Sequence, residues 1–186
     1  MENYLLLVQV SRVNQTIKAH LDGFFDHGKK EVLEAKSFLY QTSLYADHLP
    51  HEDIVGLLYS DFNIKVKIAA IGEKILSFVS IDTLNQTLKK MPEEIYAVED
   101  LLKHLIITNP KAQKELRQSF AKVLSHSDIL TLNTYAANNL NTIKASKSLF
   151  LHRNTLTYRL EAIKEKTGID VKTFKGILIF NLLFSL

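Results

Sequence analysis

The spacing of apolar positions divides the chain into two stretches of different character. In the first, runs of strand length alternate with runs of helical spacing. Tyr4 to Val10 is an apolar run of strand length, and Val13, Ile17, Leu21 and Phe24 then recur at helical intervals. Lys29 to Phe38 reads as a second helix, while Ser37 to Leu44 fits either the end of that helix or a strand. Pro50, with the acids Glu52 and Asp53, marks a helix start, and that helix runs to Phe62. Ile64 to Ile71 alternates Ile, Val and Ile around Lys65 and Lys67, the pattern of a half-buried strand, and it ends near Gly72. Ile75 to Val79 is a weaker strand, Ile81 to Lys90 a helix and Ile95 to Val98 a short strand.

From Leu101 onward every pattern is helical. Leu101 to Ile107 forms one segment, and Asn109-Pro110 starts the next. The helix from Lys111 to Leu124 buries Ala112, Leu116, Phe120 and Val123, and the two segments form a collar for the helices after them. Ser127 is a candidate N-cap for a helix over Asp128 to Asn138, with Ile129, Leu132, Tyr135 and Ala136 inward. Asn138, Asn139 and Asn141 mark a break. Asn141 caps a short helix, Thr142 to Leu149, which carries Ile143, Ala145 and Leu149 inward; the small Ala145 allows close helix crossing. Phe150 and Leu151 form a tight turn, at a place that often holds glycine. His152 and Asn154 can each cap the next helix, and Leu156, Leu160 and Ile163 give it one apolar stripe. Gly168 ends it. The tail from Thr173 to Leu186 is apolar almost all round, so it either closes a core or makes a dimer contact.

Composition narrows the class. An apolar fraction of 46% supports a sizeable core in a chain of 186 residues, room for one large or two small domains. There is no cysteine, hence no disulfide framework and no thiol chemistry. The start, MENYLLLVQV, has Glu2 where a signal peptide needs positive charge, and the terminal apolar run GILIFNLLFSL is too short to span a bilayer, so a cytoplasmic location is expected. The net charge of +3 hides an asymmetry. Residues 1–109 hold 11 Lys+Arg against 15 Asp+Glu, a net of −4, and residues 110–186 hold 12 against 5, a net of +7. A basic half joined to an acidic half suggests that one half meets a polyanion. Of only 4 arginines, Arg153 and Arg159 fall within two turns of one helix. Arginine's planar fork can grip guanine or phosphate at two points; the lesser reading for Arg159 is a stem packed on the core with a bridge to an acid.

No nucleophile elbow, phosphate loop or zinc spacing occurs, so no catalytic residue, metal or cofactor is expected and the chain is read as a non-enzyme. His48 and His51, with Glu52 and Asp53, are the one tight His/acid cluster, and solvated loop residues explain them better than a metal site. His20 and His27, one heptad apart, read as helix surface.

The string LFLHRNTLTYRLEAIKEKTGID resembles the C-terminal helix-turn-helix of PucR/CdaR-type bacterial transcriptional regulators, whose signature is close to HRNTL.YRL followed by TG.D. The matching positions are His152, Arg153, Asn154, Thr155, Leu156, Tyr158, Arg159, Leu160, Thr167, Gly168 and Asp170. The upstream TLNTYAANNLN fits the approach helix, and the module is in turn similar to the Fis-type helix-turn-helix. The βα…βα…β order of the first stretch, followed by helices, gives an α+β chain and suits a small ferredoxin-like layer. A small mixed α/β N-terminal domain, 1–98, regulatory or dimerising and readable as a reduced GGDEF-like or ferredoxin-like layer, precedes an all-α DNA-binding domain, 99–186, whose motif spans about 128–168. No GGDEF string exists, and Gly72-Glu73 is the nearest glycine–acid pair, so no cyclase residue carries over. The expected partner is double-stranded DNA, met by a recognition helix over about 153–167 in a homodimer, with an unknown effector and no membrane. Arg153 and Asn154 would meet base edges, followed by Thr157 and Tyr158. Thr155, Arg159, Lys144 and Lys147 would hold phosphates, and His152 would cap the helix or donate to a phosphate. The alternative is a protein-interaction module that keeps the fold and regulates a partner instead of DNA.

Overall fold

The computed structural model describes residues 4–25, 30–42, 51–92 and 95–184. The chain is α+β, with a five-stranded mixed sheet in its N-terminal part and helices in its C-terminal part. It divides into two compact units, one of residues 1–76 and 80–101, the other of residues 77–79 and 102–186.

In the first unit the strands are β1 (Tyr4–Val10), β2 (Lys30–Glu34), β3 (Ser37–Thr42), β4 (Val66–Gly72) and β5 (Ile95–Ala97), in the order β2-β3-β1-β4-β5. The central β1 pairs antiparallel with β3 and β4, and β4 pairs parallel with β5. On one face Leu6, Val8 and Val10 lie beside Phe38, Tyr40, Val66 and Ile68. They pack with Ile17 and Leu21 of helix α1 (Gln15–Phe24) and Leu58 of helix α2 (His51–Phe62). On the opposite face Leu7 has Leu39 and Ala69 as register partners, and Gln9 of the same face bonds to Asn85 of helix α3 (Ile81–Lys89). Both faces of β1 are therefore covered, which is why its sequence is a nearly unbroken apolar run.

Two expectations from local pattern fail here. Lys29 to Phe38 is not a helix: β2 and β3 form a hairpin. The stretch offers charged residues of good helix propensity, but Phe38 and Tyr40 gain more by packing on the sheet. The Glu34 side chain reaches α3 instead of a helical neighbour, accepting from Gln86 Nε2 at 2.8 Å and bridging to Lys89. As an edge strand, β2 tolerates charge, and a bulge at Val32/Glu34 blunts its open side. Ile75 to Val79 is not a strand either. Residues 73–77 make a 3₁₀ turn; Ile75 and Val79, four apart, are the buried positions, which is a helical interval and not an alternation.

Helix α4 (Val98–Thr108) contains the division between the units at Leu101/Leu102. The second unit continues with α5 (Pro110–Val123), α6 (His126–Ala137), α7 (Thr142–Ser148), α8 (Arg153–Thr167) and α9 (Phe174–Phe184). Asn109 caps α5 by accepting from the Ala112 amide at 3.1 Å, with Pro110 in the first turn. Ala112, Leu116 and Phe120 are buried, but Val123 is exposed because the helix ends there and Leu124 takes the inward place. The Phe120 ring stacks on Phe78 with centroids 4.4 Å apart and meets Phe180 edge-on at 5.6 Å. Ile177, Ile179, Phe180 and Leu183 of α9 are buried, so the apolar tail is core.

Candidate nucleic-acid interface

Helices α6, α7 and α8 are set by their caps. Ser125, not Ser127, starts α6. Its hydroxyl accepts from the Asp128 amide at 3.1 Å, while the Asp128 carboxylate accepts from the Ser125 amide at 2.8 Å, a reciprocal capping box. The start therefore lies two residues earlier than Ser127 alone suggests; the S-x-x-D spacing was the signal. Between α6 and α7, Asn139 and Leu140 take left-handed angles, φ 53 and 59. Leu140 N–H returns to the Tyr135 carbonyl and Asn139 N–H to that of Ala136, both at 3.0 Å, which satisfies the end of α6. Asn141 then caps α7 by accepting from the Lys144 amide.

The α7–α8 turn closes the same way. Phe150 N–H donates to the Lys147 carbonyl at 3.1 Å and Leu151 N–H to that of Ser146 at 2.9 Å, the Schellman pattern. Phe150 occupies the left-handed position with φ 54, where glycine is usual, and its side chain is 97% exposed. The Nδ1 of exposed His152 accepts from the Asn154 amide at 3.3 Å and caps α8, which leaves the other nitrogen of the neutral ring as the donor. Leu156, Leu160 and Ile163 are buried, Ala145 of α7 is buried, and Gly168 ends α8 at φ 75. Ile143, expected inward, is 53% exposed, because the α7 turn is short and Ala145 and Ser146 fill its buried side.

With the apolar stripe inward, α8 leaves Arg153, Asn154, Thr155, Thr157 and Tyr158 exposed on its first turns, and α7 leaves Lys144 and Lys147 exposed. Positions 153, 154, 157 and 158 form one contiguous strip by helical spacing. The Thr157 hydroxyl donates to the Arg153 carbonyl at 3.2 Å, which orients it along the helix. Arg159 stands apart: it is half-buried, and a guanidinium nitrogen lies 3.4 Å from the Ser127 hydroxyl.

Charge is sorted along this surface. Residues 129–160 contain no Asp or Glu and four cations, Lys144, Lys147, Arg153 and Arg159. The acids that flank this window are occupied. Lys166 Nζ donates to Asp128 at 2.7 Å, and Glu161 bridges to Lys172. Burial alone would raise the Asp128 carboxyl, but the Lys166 ammonium and the Ser125 amide and hydroxyl outweigh it and hold it below the ordinary carboxylate range. The Glu161 carboxylate raises Lys172 in turn. Among the described residues no group of three or more His, Cys, Asp or Glu could hold a metal, and no helix is long and apolar enough to cross a membrane. His27, His48 and the side chains of His51, Glu52 and Asp53 lie outside the described residues. Exposed His20 rests its ring near Phe62, centroids 4.9 Å apart.

A short helix, a tight turn and a longer helix with one buried stripe define the helix-turn-helix class. Residues 129–186 match the PucR C-terminal helix-turn-helix domain, and the likeness to PucR/CdaR-type regulators extends to curated relatives. The chain is 33% identical over 99 residues to the carbohydrate diacid regulator of Escherichia coli (strain K12), a match covering 49% of this chain and 26% of that protein. It is 33% identical over 96 residues to YxkF of Bacillus subtilis (strain 168), covering 49% and 32%. The proline-responsive transcriptional activator PutR of the same organism is 47% identical over 45 residues, 24% of this chain and 11% of the relative. The matches thus span about a third or less of these relatives' lengths. A solved regulator of polyketide synthase expression from Bifidobacterium adolescentis shares the fold, with a TM-score of 0.50 at 15% identity, over 99% of this chain and 79% of that one.

Proposed function

We propose that this protein is a transcriptional regulator that binds duplex DNA through α8, with the first turns of that helix in the major groove. The observation that carries the reading is the exposed, acid-free, donor-rich strip on α7 and α8, backed by a buried stripe within a PucR-type domain. Arg153 and Asn154 meet base edges, and Thr157 and Tyr158 follow along the groove. Thr155, Lys144, Lys147 and Arg159 contact phosphates, and His152 donates through the ring nitrogen its cap does not use. That PutR is a transcriptional activator, and the Escherichia coli relative a regulator, supports the assignment. Residues 1–98 act as the regulatory or dimerising domain and residues 99–186 as the DNA-binding domain of a cytoplasmic homodimer. Such a dimer reads half-sites roughly 10 base pairs, or a multiple of that, apart. Selection of bound sequences from a random duplex pool tests this. Enrichment of a paired motif is expected; recovery of unenriched sequence contradicts specific recognition.

One observation favours a second reading, a module that grips a protein partner. Ile143, Phe150 and Tyr158 are exposed apolar side chains on the same two helices and their turn. The same selection separates the two, since a protein-binding surface has no reason to enrich a duplex motif.

A further inference from the structure

The first unit is acidic, yet one solvent-open cavity in it, of about 290 Å³, is lined by Lys36, Lys65, Lys67 and Lys89 with Gln9, Ser11 and Ser37. Four of the ten lysines in residues 1–109 converge there, and among the described residues no carboxylate lines it.

The backbone builds this cavity. At the end of β1 the Val10 N–H donates to the Lys36 carbonyl at 3.1 Å and the Ser11 N–H to that of Lys65 at 2.9 Å. The Ser11 hydroxyl accepts from the Lys65 amide at 3.1 Å, so the two lysines are held on either side of Ser11. Gln9 has Ser37 and Lys67 as its register partners on β3 and β4, which puts all three side chains on one face of the sheet.

Two ammonium groups are placed without being neutralised. Lys67 donates to the carbonyls of Leu88, Lys89 and Met91 at 3.3, 2.9 and 2.5 Å, capping the end of α3. Lys36 donates to the Ser11 carbonyl at 2.8 Å. Carbonyl contacts fix a lysine but leave its net charge, and among the described residues neither group pairs with a carboxylate. Lys89 bridges to Glu34 at the rim.

The neutral groups say what kind of anion fits. Ser37 is 2% exposed, and its hydroxyl has no hydrogen-bond partner among the described residues. A buried, unpartnered hydroxyl is costly and offers a donor to an oxyanion. Gln9 is 7% exposed and spends both amide protons on the Asn85 carbonyl and side-chain oxygen, at 2.8 and 2.6 Å. What it has left is an acceptor, which a hydroxyl on the ligand can use. Lysine presents compact point charges with rotatable donors, suited to a tetrahedral phosphoryl group; the lining has no arginine fork to match a planar carboxylate.

We infer that this cavity is a binding site for a small phosphomonoester that also carries hydroxyl groups. A cavity of about 290 Å³ is of a size to take a small molecule. Such a site does not depend on whether α8 binds DNA.

The test uses the full chain and glycerol 3-phosphate, with inorganic phosphate and malonate as comparison probes at constant ionic strength. Calorimetric titration and thermal shift are read together. Glycerol 3-phosphate is expected to raise the melting temperature and to bind more tightly than inorganic phosphate, with malonate weakest. Lys36→Gln and Ser37→Ala should each weaken it by about tenfold, the loss expected for one charge-assisted or otherwise unreplaced hydrogen bond. Lys18→Gln, an exposed change on α1, should leave it unchanged. No binding, equal binding of malonate, or equal affinity in the wild type and Lys36→Gln would each overturn the assignment. Melting of the ligand-free variants checks that they fold; if Ser37→Ala does not, Lys36→Gln on the surface still decides.

Discussion

Replacing Phe150 by glycine should stabilise the protein, although it deletes a large apolar side chain. Phe150 closes α7 with φ 54, a conformation that costs an ordinary L-residue roughly 1–2 kcal/mol because its Cβ crowds the following carbonyl. The ring gives nothing back by burial, since it is 97% exposed. Glycine relieves the crowding and keeps both closing hydrogen bonds, which are made by the backbone N–H groups of Phe150 and Leu151. Against this, glycine widens the unfolded ensemble, an offset of about 0.4–1 kcal/mol. The net expectation is about 0.5–1 kcal/mol of added stability. In a chain of this size that is a rise of roughly 1–4 °C in melting temperature. Phe150→Ala keeps the Cβ and should stay within about 0.5 kcal/mol of wild type. Urea titrations of the three proteins, followed by circular dichroism with equal m-values, read the difference. If Phe150→Gly is less stable than Phe150→Ala, the ring packs on something or the turn is not left-handed, and the reasoning fails. A gain in stability would show that phenylalanine is not held at this position by folding, leaving an external contact as the reason for it.

Three more expectations concern the second unit. Leu160 is 1% exposed in the α8 stripe, so Leu160→Ala should cost about 2–5 kcal/mol in the same titration, whereas Thr157→Ala on the exposed strip should change little; equal losses would place the wrong face inward. A Cβ at Gly176 would lie 2.0 Å from the Asp170 carbonyl oxygen, a backbone atom, so Gly176→Ala should cost about 1–3 kcal/mol or more, and a neutral result would contradict the α9 geometry. Asp128 has a folded pKa held below its unfolded value, so its contribution is present above about pH 4 and is lost as pH falls through the depressed value. Asp128→Asn should therefore cost about 1 kcal/mol at neutral pH and progressively less in acid, measured as melting temperature against pH; a gap that widens in acid would reverse the sign.

Most of the second unit was legible because its signals are local. Asn109-Pro110, the Asn141 cap, the Leu156/Leu160/Ile163 stripe and Gly168 each act within a turn or two of themselves, and each appears where its chemistry places it. Ile143 and Val123 misled because a helical interval says which residues share a face and not where a short helix stops being covered. The hairpin at β2–β3 was hidden for a different reason. Its formation depends on β1 and on Glu34 meeting α3, partners that are some 25 to 55 residues away in sequence. The lysine cavity was invisible for the same cause. Lys36, Lys65, Lys67 and Lys89 look like scattered surface charges until the pairing of β1 with β3 and β4 collects them. In α8 the sequence told which side chains face outward, while the tether of Arg159 to Ser127 needed the tertiary contact.

Whether α8 reads DNA is decided by the salt dependence of duplex binding with and without Arg153. If Lys144, Lys147 and Arg159 contact phosphates as proposed, three cations per chain give a slope of log K against log salt of about −3 per protomer and about −5 for the proposed dimer. Fluorescence anisotropy of a selected duplex and a scrambled one, across a salt series, measures it. Steep slopes of that size are expected for the wild type. Arg153→Ala should lose about 1–3 kcal/mol on the selected duplex alone, and Lys147→Gln should weaken both duplexes and flatten the slope by about 1 per protomer. Flat, weak binding of every duplex at low salt, or an Arg153→Ala variant that discriminates between the two as well as wild type does, would contradict DNA reading by α8.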